Sequence, residues 1–191
     1  MRSTFKRLLP HTNTLAPLLR GPVTLENLDA GYLKSLGAKV VILDHDGVLG
    51  PIWSATPDAT GSGVIEKMLE AFGDGRVFVL SNTKRAMETR KEAYGRLYPK
   101  VNYLVARRKP DPEGLMMASR AAGVEVSQIA VVDDGVLTGI LMAVENGAIP
   151  VYVLRASLED NLITRTALKL VTLPQAALAR LAIWLKPLIY P

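Results

Sequence analysis

Four consecutive aliphatic residues, Val40-Val41-Ile42-Leu43, run straight into Asp44-His45-Asp46-Gly47-Val48. No other feature of the chain narrows its possible folds so far. An unbroken aliphatic run has no polar face to turn toward water, so it reads as a strand covered on both sides, as in a parallel sheet. In open α/β sheets, ligands sit beyond the carboxyl ends of such strands. Two carboxylates one residue apart at that place repel each other unless a cation or a shared proton offsets the charge. Two readings follow. One is a divalent-cation site with a nucleophile and an acid/base. The other is an acidic turn, since Asp and Gly are ordinary turn residues.

Similar runs recur at 77–80, 101–105, 129–132 and 150–154, and each reads as a strand. Helical stretches fall between them: about 64–72, then one opened by Ser81-Asn82-Thr83 and reaching about Gly95. A third starts at Pro112 and runs through Ala118, and a fourth spans about 137–145. Strict alternation predicts an α/β fold, a three-layer Rossmann-like parallel sheet with helices on both faces. A chain of 191 residues suits one such domain with terminal extensions. We divide it into a basic, leucine-rich segment (1–38), a catalytic domain (39–155) and basic, apolar C-terminal helices (156–191).

Charge separates the ends from the middle. Arg2, Lys6, Arg7 and Arg20, with Arg165, Lys169, Arg180 and Lys186, lie in terminal stretches that hold no acid. Residues 21–160 keep all 18 acidic side chains and are net negative. The terminal cations keep apolar company: Phe5, Leu8, Leu9, Leu15, Leu18 and Leu19 at one end, and Leu178, Leu181, Trp184, Leu185, Leu188, Ile189 and Tyr190 at the other. That mixture suits an anionic membrane surface better than a nucleic acid, which is not expected as a partner. The same leucines can equally cover the domain core. Neither end reads as a membrane span. Arg180 and Lys186 interrupt the last apolar run, and Pro174 and Pro187 bracket a segment shorter than the roughly 20 residues a bilayer requires. Pro10 and Pro17 break up the N-terminal segment, which lacks a secretory signal's apolar stretch. Without cysteine there are no disulfides or thiolate metal sites, and two histidines, His11 and His45, argue against a histidine-rich zinc site.

Four loops follow strands at one end of the expected sheet. They carry Asp44 and Asp46, then Ser81 and Asn82, then Lys109, then Asp133 and Asp134. Together these groups suffice for phosphoryl transfer. A carboxylate can attack phosphorus, and a second can protonate the leaving oxygen. Hydroxyl and amide groups can bind phosphate oxygens. A lysine offsets phosphoryl charge, and a further aspartate helps hold a hard cation such as Mg²⁺.

The ordered set Asp-x-Asp-Gly-Val, Ser-Asn-Thr, Lys-Pro and Val-Val-Asp-Asp resembles the four motifs of the haloacid-dehalogenase-like (HAD) phosphatases, over about residues 39–155. More narrowly, it is similar to the subclass IIIA phosphatases that dephosphorylate phosphatidylglycerophosphate in bacteria and mitochondria, which share the leucine-rich lead-in, here 15–36. The resemblance implies Asp44 as nucleophile and magnesium ligand. Asp46 would be general acid/base and bind the metal through its backbone carbonyl. It also implies phosphate binding by Ser81 with Asn82 beside it, a bridge from Lys109 to Asp44 and the phosphate, and completion of the magnesium site by Asp134. This chain departs from the motifs at three positions. Asp133 stands where glycine usually precedes the metal-binding aspartate, Gly139 stands where a second aspartate often follows, and His45, inside the first motif, is expected to pack away from the metal.

In the superfamily, enzymes for small metabolites usually carry a cap in one of the two gaps between motifs. Here 34 residues separate Asp46 from Ser81 and 27 separate Ser81 from Lys109, and the expected elements already fill both. An HAD-like domain without a large cap leaves its site open to bulky phosphates. The expectation is therefore a magnesium-dependent phosphatase working through an aspartyl-phosphate on phosphatidylglycerophosphate. It would be peripheral on a membrane, either cytoplasmic or on the matrix side of the mitochondrial inner membrane. The alternatives are a soluble phosphatase of nucleotide, sugar or protein phosphates, and a phosphate-binding module without turnover.

Overall fold

The computed structural model describes residues 2–52, 54–82, 87–155 and 162–189. Its strands are β1 (Val23–Thr24), β2 (Val40–Leu43), β3 (Val77–Leu80), β4 (Asn102–Leu104), β5 (Ile129–Asp133) and β6 (Ile149–Leu154). Its helices are α1 (Arg2–Leu8), α2 (Thr12–Arg20), α3 (Ala30–Ser35), α4 (Ala59–Phe72), α5 (Met87–Leu97), α6 (Glu113–Ala122), α7 (Leu141–Glu145) and α8 (Leu162–Ile189). The strands form one parallel sheet in the order β1-β6-β5-β2-β3-β4. This is the expected α/β fold, with one strand more than the sequence suggested. At two residues, β1 is too short to stand out as an apolar run, and it exists by pairing along β6.

Side chains alternate between the two faces of the sheet, which builds the three layers. Val41, Leu43, Val77, Val79, Ala130 and Val132 meet Leu33 of α3 and Val64, Ile65 and Met68 of α4 on one face. Val40, Ile42, Phe78, Leu80, Ile129 and Val131 meet Leu115 and Ala118 of α6 and Met142 and Ala143 of α7 on the other. Topology then locates the site. From β2 the chain moves out to β3 and β4, then returns to lay β5 and β6 on the opposite side of β2. The β2–β5 pair is thus the switch point, where ligands bind beyond the carboxyl ends of the strands. Asp44 and Asp133 stand at those two ends, and the Asp44 amide donates to the Val132 carbonyl at 3.0 Å.

Several boundaries differ from expectation for local reasons. The helix α4 begins at Ala59, not near residue 64, because Asp58 caps it and accepts from the Gly61 amide at 2.9 Å. Gly61 and Gly63 look like loop glycines, but a Cβ at position 61 would lie 1.8 Å from the Leu49 carbonyl oxygen. Glycine there serves close approach of helix to loop. The segment from Ser81 is described as helix only from Met87, and Thr83 lies outside the described residues. The helix after Pro112 continues to Ala122 and stops at Gly123, whose φ of 63° suits glycine. Before α7, residues Val136–Ile140 form a π turn.

The terminal segments share a third hydrophobic cluster. Leu8, Leu9, Leu15 and Leu19 pack with Val136, Ile140, Leu141 and Tyr152, and with Ala176, Ala179 and Ala182 of α8. The N-terminal leucines therefore cover core, one of the two roles their pattern allowed. Pro17 lies inside α2, and α8 runs 28 residues through both Pro174 and Pro187 instead of being bracketed by them. The alanine face of α8 packs closely on its neighbours, which offsets the backbone hydrogen bond each proline removes. Tyr190 and the side chains of Arg165, Leu188 and Ile189 lie outside the described residues. Among the described residues, no helix is long and apolar enough to cross a membrane.

The two glycines of α4 should respond oppositely to alanine. Gly61→Ala overpacks the Leu49 contact and should cost about 1–3 kcal/mol. Gly63, with nothing within 4 Å of an added Cβ, should gain about 0.5–1 kcal/mol from Gly63→Ala. Urea unfolding of both variants would measure the difference.

Candidate active site

Each strand end contributes one loop. After β2, Gly47 takes a φ of 84° and its amide donates to the Gly50 carbonyl at 2.9 Å, folding Asp44–Gly50 into a tight turn. Asp44 ends up buried, with Oδ1 accepting from the His45 amide at 2.8 Å and lying 2.8 Å from Lys109 Nζ. Lys109 arrives from the loop after β4. Its neighbours Arg107 and Arg108 are exposed, whereas its own side chain is buried and reaches Asp133 Oδ2 at 2.5 Å as well as Asp44. Asp134 completes a cluster in which one carboxylate oxygen each from Asp44, Asp133 and Asp134 lies within 4.8 Å of the others.

Asp46 does not belong to that trio. Its carboxylate turns to Ser81 Oγ, which donates to Oδ2 at 2.8 Å, and to Arg90 of α5. The Arg90 guanidinium is fully buried and donates to Asp46 Oδ1 at 2.6 Å and Oδ2 at 2.9 Å. It also donates to Ser81 Oγ at 2.7 Å and to the Ser54 carbonyl at 2.8 Å. Asn82 connects two loops. Its Oδ1 accepts from the Lys109 amide at 2.7 Å and its Nδ2 donates to the Lys109 carbonyl at 3.3 Å. The structure thus gathers all six expected residues at one sheet end, in two linked groups: Asp44, Lys109 and Asp134 around Asp133, and Asp46 with Ser81 around Arg90. Asn82 braces the lysine loop between them.

Burial sets the electrostatics. Loss of solvent raises the Asp44 carboxyl; Lys109 opposes the rise, and the neighbouring carboxylates of Asp133 and Asp46 reinforce it. Burial also pushes Asp134 well up, with Asp133 and Asp44 adding to the effect. Desolvation works to lower Lys109, but Asp133 and Asp44 outweigh it and keep the ammonium charged. Among the described residues, the carboxylates of Asp44, Asp46, Asp133 and Asp134 here face the cations of Lys109 and Arg90. Four carboxyl groups against two cations, with an all-oxygen donor set, suit a hard divalent cation, whose charge would offset the burial that raises Asp44 and Asp134.

Two partners escaped the sequence reading. Arg90 lies in a run of exposed charges, and its only signal is position: with Ala93 and Tyr94 it forms the buried stripe of α5. Asp133 was noted as a departure, yet it is the second anchor of Lys109. His45 packs away from the acidic trio, with Nδ1 2.8 Å from Tyr94 Oη and Nε2 3.0 Å from Ser54 Oγ.

The sequence model for the mitochondrial PGP phosphatase family matches residues 2–157. Among solved structures, an uncharacterized protein from Corynebacterium glutamicum ATCC 13032 Kitasato is similar, at 20% identity and a TM-score of 0.45. That match covers 75% of this chain and 96% of the other. No curated protein matches.

The buried His45 makes stability depend on pH. Burial, reinforced by Arg90, lowers it to about 4 from an ordinary 6.5. The unfolded chain therefore binds the extra proton first as pH falls. The folded state should lose roughly 3 kcal/mol between pH 6.5 and 4 from this residue. Urea midpoints across that range should fall less steeply for His45→Gln than for wild type; parallel profiles would contradict the assignment.

Proposed function

The chain belongs to the mitochondrial PGP phosphatase family, and on that premise we propose that it hydrolyses the terminal phosphomonoester of phosphatidylglycerophosphate through an aspartyl-phosphate on Asp44. It is a phosphatase. The observation that carries the mechanistic reading is the contact of Lys109 Nζ with Asp44 Oδ1, 2.8 Å, at the sheet's switch point. That ammonium keeps a buried carboxylate available for attack and stands ready to share charge with an incoming phosphoryl group.

The steps follow from the residues present. A carboxylate oxygen of Asp44 attacks phosphorus, and the bond from phosphorus to the lipid oxygen breaks. Asp46 gives a proton to the departing alkoxide, so the lipid leaves as an alcohol. Asp46 then takes a proton from water as that water's oxygen attacks phosphorus, releasing orthophosphate and restoring the Asp44 carboxylate. The Arg90 pair favours the ionised Asp46 that this second step needs. For the first step, Asp46 therefore has to turn from Arg90 and take up a proton from solvent, which it then gives to the leaving oxygen. Ser81 would hold a phosphate oxygen, and Asn82 would keep Lys109 in place. Mg²⁺ would be held by Asp44, Asp134 and the Asp46 carbonyl, and when bound it stabilises negative charge on the transferring group.

The lipid surface has a candidate dock. On α8, Leu170, Leu173, Leu181 and Trp184 are 71, 63, 46 and 68% exposed. Their spacing puts them on one helical face, opposite the buried alanines. Lys169 and Arg180 are exposed alongside. The helix lies near the site. Gln175 Oε1 accepts from the Leu137 amide at 2.9 Å, three residues past Asp134. Tyr152, the register partner of Asp133, shares a cluster with Ala176, Ala179 and Ala182. We propose that residues 39–155 carry the chemistry while α8 rests on the anionic bilayer that holds the substrate. The family's description as mitochondrial favours the inner-membrane location over a cytoplasmic one.

Phosphate release from phosphatidylglycerophosphate in mixed micelles should require Mg²⁺ and stop with EDTA. Asp44→Asn should lower kcat by at least about 10³-fold, and retention of the rate by that variant would overturn the mechanism. Flotation with phosphatidylcholine vesicles containing phosphatidylglycerol tests the dock. Leu181→Glu with Trp184→Glu should weaken partitioning roughly 100-fold at an unchanged Tm.

A further inference from the structure

Asp133 is wholly buried at the end of β5, yet the steps above give it no part. Its Oδ1 accepts from the Gly135 amide at 2.7 Å and from Thr138 Oγ1 at 3.2 Å, and its Oδ2 accepts from Lys109 Nζ at 2.5 Å. Gly139 faces this carboxylate across the π turn. A Cβ at 139 would stand 2.1 Å from Asp133 Oδ2, 2.5 Å from Cγ and 2.7 Å from Cβ. Its φ is not in the left-handed range, so backbone conformation does not require glycine there. The space is taken by the Asp133 side chain.

We propose that Asp133 is the positioning residue for Lys109, and that Gly139 exists to make room for it. The same volume beside Lys109 can be filled by a carboxylate from either wall, residue 133 or residue 139, but not from both. Ligation of the cation by Asp133 is the competing role, since it belongs to the acidic trio. Against it, both Asp133 oxygens already accept hydrogen bonds from protein donors. The proposal rests on the phosphatase reading for what Lys109 does, while its steric half stands independently.

The test compares Asp133→Asn, Asp133→Gly, Gly139→Asp and the exchange Asp133→Gly/Gly139→Asp. Each is measured for Tm, for kcat and KM on an aryl phosphate at saturating Mg²⁺, and for the Mg²⁺ midpoint. Loss of a group that orients an active-site side chain typically costs 10–100-fold, so Asp133→Asn should lower kcat by about that much with little change in the Mg²⁺ midpoint. Gly139→Asp alone should overpack the turn and drop Tm by about 5 °C or more. The exchange should recover most of that Tm and bring kcat to within a few fold of wild type. Three outcomes overturn the proposal: wild-type kcat in Asp133→Asn, a Mg²⁺ midpoint that moves in step with the lost rate, or an exchange variant as unstable or as slow as the worse single variant. A wild-type enzyme inert on the aryl phosphate would instead count against the phosphatase reading, and the Tm cycle would still decide whether positions 133 and 139 compete for one space.

Discussion

One buried ammonium holds the site together. Lys109 lies between Asp44 and Asp133, at 2.8 and 2.5 Å, where the two central strands end. Two carboxylates this close and this buried repel each other, and the cation between them offsets that repulsion. Removing an ion-pair partner from such a place leaves a charge without compensation, typically a cost of about 3–5 kcal/mol. The lysine must therefore arrive in one position, and much of the surrounding loop serves that end. Asn82 grips its backbone on both sides, and Asp133 is itself fixed by Gly135 and Thr138. Arg90 anchors Asp46 in the same way from the opposite direction. The site is thus two halves, each built around one buried cation, joined through residues 44–46.

How far this was legible in the sequence differs by element. The central strands show plainly because β2, β3 and β5 are buried along their whole length, and a strand buried on both faces has to be uniformly apolar. The strand β1 was illegible because it is two residues long and exists through pairing with β6. The start of α4 was hidden because Gly61 reads as flexible, whereas its role is contact with Leu49. Glycine carries no side chain to signal which of its uses applies.

For the site, the expected residues were named by motif order, and motif order carries no information about their partners. Arg90 follows Glu88 and Thr89 and precedes Lys91 and Glu92, so nothing local marks it among these polar neighbours. Only the i, i+3, i+4 stripe it forms with Ala93 and Tyr94 places it inward. Its burial follows from where α5 packs. Asp133 was visible as a change of residue type, but its pairing with Lys109 depends on two loops 24 residues apart meeting at the sheet end.

The same charge balance constrains how the site can fill. Among the described residues, the carboxyl groups of Asp44, Asp46, Asp133 and Asp134 are set against only Lys109 and Arg90. Burial already raises Asp44 and Asp134, and a phosphomonoester brings further negative charge. Bringing a phosphate dianion beside Asp44 without a cation would set like charges together in a poorly solvated place, where each such contact costs far more than in water. On the proposed reading, a cation bound first would remove that cost, and the phosphate would favour its binding in return. By linkage, each must then raise the other's affinity by the same factor. On the proposed reading, cation and substrate therefore act as one ligand at the end of the sheet where β2 and β5 finish.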